Sequence, residues 1–413
     1  MTGISDAKPI NHDAKIIGLV CFPHMLSHVY WLVIPPMYNI LMRVFDLNYT
    51  EAGAIMTAFA TAAMVAQTPV GFLVDRIGAR SVLIGGIALE AAAIGAFGLV
   101  DSYWQMIPLA ALAGLGHSVF HPADYAILSA RISERHMGRA FSLHTASGYL
   151  GFAIAPIYMI WVAETWHWRA SFLSIGAIGL FAAFVLLTQS GLLRDEGADR
   201  GQTLGGKDKK AVEPMTLAQG LRLIVSFPVM MCFLYFILHQ MGGGGVRTFL
   251  VAALADMYQT PGMVAASALS AFTVGSVVGI LSGGYVADRF GPRVWTAVAT
   301  LIPAAFIIAM LGWVDVRGFM LVALLAVSGF LIGLLIPSRD LLLRSVTPPG
   351  SMGKVMGFAS TGSNLGGALL PIVLGYAMDR AGGAWVFWIS AIFIGAAFLT
   401  FVTARTRSGE SKA

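Results

Sequence analysis

Eight side chains in this 413-residue sequence have the type and spacing to bind or transfer charge. His24 and His28 stand four residues apart, which puts both imidazoles on one face of a helix. His117, His121 and Asp124 fall at i, i+4 and i+7, a single stripe on a continuous helix. His239 and Gln240 precede the run Gly242–Gly245 and then Arg247. Three chemistries fit these residues. Histidine titrates between about pH 5 and 8, so paired imidazoles beside a carboxylate can take up and release protons. The planar guanidinium of Arg247 would supply a permanent charge for a carboxylate or phosphonate. Imidazole with carboxylate also suits a transition metal, and packed histidines donating to backbone carbonyls need no ligand at all. His121 comes just before Pro122, which cannot donate a helical hydrogen bond, so its imidazole has a freed carbonyl to serve. Glu90 is alone in Ala88-Leu-Glu-Ala-Ala and reads as a packing or local hydrogen-bonding residue, with proton carriage the alternative.

The elements that must carry these residues are apolar. Hydrophobic residues make up 57% of the chain and charged residues 11%, against about 25% charged in soluble domains. Mean hydropathy is +0.77. A spanning helix needs roughly 20 apolar residues. Twelve such stretches fall near 16–40, 51–73, 81–100, 104–129, 138–162, 168–190, 223–250, 262–287, 294–313, 318–343, 353–377 and 384–404. This predicts an all-α membrane protein. With the first residues in the cytoplasm, 21 of the 26 Lys and Arg residues fall on that face. Arg43, Arg169, Arg247, Arg317 and Arg380 fall on the other face or in the membrane. That bias predicts a multi-pass protein of the cell (inner) membrane with both termini cytoplasmic. The net charge of +5 is scattered over short loops, so nucleic acid is not an expected partner. Cys21 and Cys232 lie in apolar runs and give no disulfide or metal-finger spacing. The polar Met1–Ala14 segment lacks the pattern of a signal peptide.

The chain repeats itself. Gly71-Phe-Leu-Val-Asp75-Arg76-Ile-Gly78-Ala-Arg80 returns at Gly284-Tyr-Val-Ala-Asp288-Arg289-Phe-Gly291-Pro-Arg293, 213 residues later. Thr145–Pro156 matches Ser360–Pro371, and Pro122 matches Pro337, both at an offset of 215. Two parallel six-helix repeats follow: 1–190 and 223–413, joined by a polar cytoplasmic linker over 191–222. The Gly242–Gly245 run is read as a weak point where a helix bends, or as a site of close helix packing. A phosphate cradle is excluded, since no Lys-Ser or Lys-Thr follows it. Asn39 and Gln67 read as interhelical hydrogen-bonding groups.

Repeated loop, twelve spans and central linker together resemble the major facilitator superfamily over essentially the whole chain. A narrower resemblance rests on His28-Val-Tyr-Trp-Leu-Val-Ile-Pro35-Pro36 and Gly114-Leu-Gly-His-Ser-Val-Phe120-His121-Pro122. Both are similar to the fosmidomycin-resistance-type branch. The sequence departs from drug–proton antiporters of that superfamily: Leu109–Leu115 holds no Arg, and Ala155-Pro156 is followed by Ile157-Tyr158. The resemblance implies that spans 1, 4, 7 and 10 line a central cavity, which would gather the eight residues around a substrate. It also implies that Asp75, Arg76 and Arg80 bridge helices at the cytoplasmic face and break when the halves rock, with Arg131, Glu134 and Arg135 as partners. Asp288, Arg289, Arg293, Arg339 and Asp340 are the corresponding charges of the second half. The expectation is a monomeric secondary transporter of a small polar or anionic organic solute, working by alternating access and coupled to protons. An uncoupled facilitator, a drug or metabolite exporter, a metal or metal-chelate transporter and a non-transporting sensor are the alternatives. With no nucleotide-binding motif, nucleophile–base set or hydrolase metal motif, neither ATP use, cofactor, resident metal nor enzymatic activity is expected.

Overall fold

The computed structural model describes residues 10–193, 222–223, 225–290, 294–347 and 352–410. The expected linker therefore lies outside the described residues from 194 to 221, as does Arg293. Among the described residues there is no strand. Nine stretches of the described residues are long and apolar enough to cross a membrane. The three other expected spans are present as helices but depart from that simple form.

Helix α1 (Ile10–Trp31) stops ahead of Pro35 and Pro36, which cannot donate backbone hydrogen bonds. A short turn over Pro35–Met37 leads into α2 (Tyr38–Phe45), so the α-helix of the first span is interrupted. Helix α3 (Tyr49–Ile77) joins α4 (Ala79–Ala96) through Gly78 alone. Gly78 sits at φ 87°, which residues with a Cβ rarely adopt, and this explains the second glycine of the repeated loop. The fourth span divides into α5 (Tyr103–His117) and α6 (Phe120–Arg131). The seam falls where Pro122 lacks the N–H that would bond the Ser118 carbonyl. The expected single stripe of His117, His121 and Asp124 is therefore shared between two helices. Helices α7 (Met137–Thr165) and α8 (Trp168–Thr188) complete the first half.

The second half comprises α9 (Phe227–Tyr258), α10 (Gly262–Phe290), α11 (Val294–Met310), α12 (Gly318–Ser345), α13 (Met352–Ala381) and α14 (Ala384–Glu410). Helix α11 has 17 residues and α13 has 30.

Packing forms two compact units: Met1–Val33 with Thr61–Leu204, and Ile34–Ala60 with Gly205–Ala413. In the first, α1 packs on α7, and α4 on both α8 and α5. In the second, α9 packs on α13, and α11 on both α14 and α12. These are the same pairs one repeat later. Ile34–Ala60 groups with the later residues for a local reason. The carboxylate of Asp379 accepts the backbone N–H groups of Tyr49 (2.8 Å) and Thr50 (2.9 Å), which are orphan donors at the start of α3. A Cβ on Gly53 would lie 2.3 Å from the Pro371 carbonyl oxygen, so α3 and α13 touch backbone to backbone. Asn39 Nδ2 donates to the Val251 carbonyl at 3.4 Å, the interhelical role expected of it.

Candidate transport site

Two glycines of α7 let α1 approach closely. A Cβ on Gly151 would stand 2.2 Å from the Met25 carbonyl oxygen. A Cβ on Gly148 would stand 2.8 Å from His28 Nε2 and 2.9 Å from His24 Nε2. The space a side chain would take is thus given to two imidazoles. Asp124 of α6 completes the group. Its Oδ2 lies 3.0 Å from His144 Nε2 and 3.2 Å from His24 Nδ1. The His24 and His144 rings stack with centroids 3.6 Å apart. His28 follows at 4.7 Å from His24, and His121 at 5.3 Å. Asp124, His144 and His24 are at most 2% exposed.

A second carboxylate–imidazole pair stands beside this group. Glu90 Oε1 is 3.0 Å from His117 Nδ1, and the His117 ring lies 6.4 Å from that of His28. Gly116 makes the pair possible, since a Cβ there would meet Glu90 N at 2.6 Å. Several buried polar atoms lack a hydrogen-bond partner: His24 Nδ1, His28 Nδ1, His121 Nδ1, Asp124 Oδ1 and Glu90 Oε2. His121 Nδ1 therefore does not serve the carbonyl freed by Pro122, and its ring stacks on Tyr125 instead. Unpartnered buried polar atoms cost about 1–3 kcal/mol each and mark a place built for a ligand, a water or a proton. Among the described residues, His24, Asp124 and His144 are the group whose ligand atoms lie within reach of a shared metal ion.

The sequence reading thus finds five members of this cluster and leaves out His144. It leaves Glu90 between packing and proton carriage. The available signal for His144 was its face: Gly148 and Gly151 follow at i+4 and i+7, a small-residue stripe beneath a histidine.

His239, Gln240 and Arg247 belong to the second unit. Helix α9 runs unbroken through Gly242–Gly245, and all four glycines are buried. A Cβ on Gly242 would lie 2.5 Å from Ile394 Cγ1, and one on Gly245 would meet the Ser390 hydroxyl. Gly242 and Gly245 thus pack closely against α14, while Gly244 faces Leu370 of α13. Arg247 Nη2 donates to Gln240 Oε1 at 3.3 Å. The His239 ring stacks on Tyr235, and its Nε2 has no hydrogen-bond partner.

The loop charges are distributed as follows. Asp75 and Arg76 are exposed at the end of α3, and Arg80 Nη1 points at the Ser190 carbonyl from 3.5 Å. Arg131 ends α6, and Glu134 and Arg135 form the next turn. His136 Nδ1 lies 2.9 Å from Asp13 Oδ2, which also accepts from the Ser133 hydroxyl at 2.7 Å. Asp288 and Arg289 are exposed, and Arg289 donates to the Tyr285 hydroxyl at 2.9 Å. Arg339 pairs with its neighbour Asp340 at 2.8 Å and covers the Phe236 ring.

Comparison with known proteins agrees with this architecture. The family model of the Major Facilitator Superfamily matches residues 20–252 and 232–413. The fosmidomycin resistance protein of Escherichia coli K12 is 25% identical over 372 residues, covering 87% of this chain and 86% of its own. The D-galactonate transporter of Escherichia coli O6:H1 is 25% identical over 377 residues, covering 85% and 86%. Among solved structures, a bacterial homolog of the human lysosomal transporter Spinster superposes with a TM-score of 0.82 at 14% identity, covering 97% and 98% of the two chains. The nucleoside transporter NupG gives a TM-score of 0.75 at 16% identity, covering 95% and 100%.

Proposed function

The chain belongs to the Major Facilitator Superfamily and is a multi-pass membrane transporter, not an enzyme, and from that premise we propose that it moves a small polar or anionic organic solute by alternating access, coupled to protons. The observation that carries the coupling is the Glu90–His117 pair. A fully buried carboxyl 3.0 Å from an imidazole can hold one proton between two bases and pass it on when solvent reaches either partner. No nucleotide motif competes as an energy source. Arg247, held by Gln240, supports the preference for an anionic group. His28 and His121, with buried and unpartnered nitrogens, are polar contacts available to a solute. The two relatives named above, with a phosphonate drug and a sugar acid in their names, are consistent with that class.

On this reading the protein sits in the cell (inner) membrane as a monomer with both termini cytoplasmic, as the distribution of Lys and Arg favours. Asp75, Arg76, Arg80, Arg131, Glu134, Arg135, Asp288, Arg289, Arg339 and Asp340 are its gating charges, pairing and releasing as the halves rock.

The test uses proteoliposomes and three probes: D-galactonate, fosmidomycin and a nucleoside. One pH unit is worth 1.36 kcal/mol per proton, so one coupled proton gives about tenfold accumulation across a one-unit gradient. Glu90→Gln keeps the size and an acceptor oxygen but cannot carry the proton. It should equilibrate the solute without accumulating it. Wild-type transport indifferent to the gradient would remove the coupling, and no response to any probe would remove the solute class.

A further inference from the structure

We propose that His24, Asp124 and His144 form a binding site for a divalent transition-metal cation, with Zn2+ the best geometric match. Zinc binds imidazole nitrogen at about 2.0–2.1 Å and carboxylate oxygen at about 2.0–2.2 Å. A tetrahedral site of that size has ligand atoms about 3.3 Å apart. Here the two edges to Asp124 Oδ2 measure 3.0 and 3.2 Å, and all three ligand atoms lie within 4.8 Å of one another. The three residues come from α1, α6 and α7, so the site is assembled by tertiary packing and not by one helix.

Four further observations point to a ligand. His24 Nδ1 is buried and has no hydrogen-bonding partner although it lies 3.2 Å from Asp124 Oδ2. Asp124 Oδ1 is buried and unpartnered as well. The rings of His24 and His144 stack with centroids 3.6 Å apart, so both imidazoles border the Asp124 carboxylate. Neutral imidazoles tolerate that stacking, and metal binding requires them neutral. His28 and His121 are the neighbouring rings, with centroids 4.7 and 5.3 Å from that of His24, and the Nδ1 of each is buried and unpartnered. Two imidazoles and one carboxylate select zinc, cobalt or nickel over magnesium and calcium, which take mainly oxygen ligands. Glu90 and His117 stand apart from this group, so metal binding and the proton coupling proposed above stand or fall separately.

The full-length protein, purified without a histidine tag and stripped with chelator, is titrated with Zn2+, Co2+, Ni2+, Mg2+ and Ca2+ by calorimetry. Retained metal is counted by mass spectrometry after desalting. We expect about one Zn2+ per chain and no retained Mg2+ or Ca2+. Asp124→Asn and His144→Gln should each weaken Zn2+ at least tenfold. His167→Gln, at an exposed helix start, should leave it unchanged. If those variants do not fold, zinc-edge X-ray absorption of the wild type decides. Imidazole scattering from two or more nitrogens supports the site. An all-oxygen shell, substoichiometric zinc, or affinity unchanged in folded Asp124→Asn overturns it. Transport assays run with chelator present keep the outcome separate from that of the transport reading.

Discussion

Gly116→Ala should be among the most damaging single methyl groups that can be added to this protein. The new Cβ would lie 2.6 Å from Glu90 N, 2.8 Å from Glu90 Cβ and 2.8 Å from the Gly86 carbonyl oxygen. Two of those three atoms are backbone of α4, so no side chain can swing aside. Ordinary contact begins near 3.5 Å, so α4 and α5 must separate locally by about 0.9 Å. Overpacking of this kind costs about 1–3 kcal/mol. The same separation stretches the 3.0 Å contact of Glu90 with His117 to nearly 4 Å, past hydrogen-bonding range. Leaving those buried atoms unpaired adds about 1–3 kcal/mol. The expected loss is roughly 2–6 kcal/mol in total. Gly85→Ala is the control on the facing helix α4, since nothing lies within 4 Å of its added Cβ. It should be neutral or stabilise by up to about 1 kcal/mol. Thermal unfolding of wild type and both variants in one detergent gives the comparison. Equal melting of Gly116→Ala and wild type, or an equal loss in Gly85→Ala, would refute the claim that this glycine seats the buried pair.

Variants at two other positions probe the second unit and the gate. Asp379→Ala leaves the Tyr49 and Thr50 N–H groups without their acceptor and should destabilise by about 1 kcal/mol, the usual cost of a lost helix cap. Asp379→Asn should lose less, and equal melting of all three proteins would remove the capping role. Asp75→Asn should slow turnover more than it weakens solute binding. Weaker binding at unchanged turnover would take Asp75 out of the gate.

The long elements were legible because their signal is redundant. Each span needs only about 20 apolar residues, and the duplicated loop fixes the two halves independently. The seam at Ser118–Val119 was signalled by Pro122 but was read as a local defect within one helix. That reading aligned His117 with Asp124, whereas the fold sends His117 to Glu90 and Asp124 to His24 and His144. Glu90 looked isolated because its partner lies 27 residues away on another helix. His144 was missed because a single histidine in a 29-residue apolar helix has no local pattern. Gly242–Gly245 was ambiguous for the opposite reason. Glycine permits both bending and close approach, and only the neighbouring Ile394 and Ser390 decide between them.

The duplication explains why the two halves should prefer opposite charges. At the same offset of 215 residues that relates Pro122 to Pro337, His24 corresponds to His239 and Asp124 to Arg339. The second unit keeps the histidine but exchanges the carboxylate for a guanidinium, and Arg339 covers the ring of Phe236, one turn from His239 on α9. A histidine beside a carboxylate attracts a cation. One beside a guanidinium repels it and suits an anion. The repeat that carries two equivalent histidines should therefore bind one zinc per chain and not two. A stoichiometry of two, with the second lost in His239→Gln, would break this argument, because it would place a cation where the fold supplies a fixed positive charge.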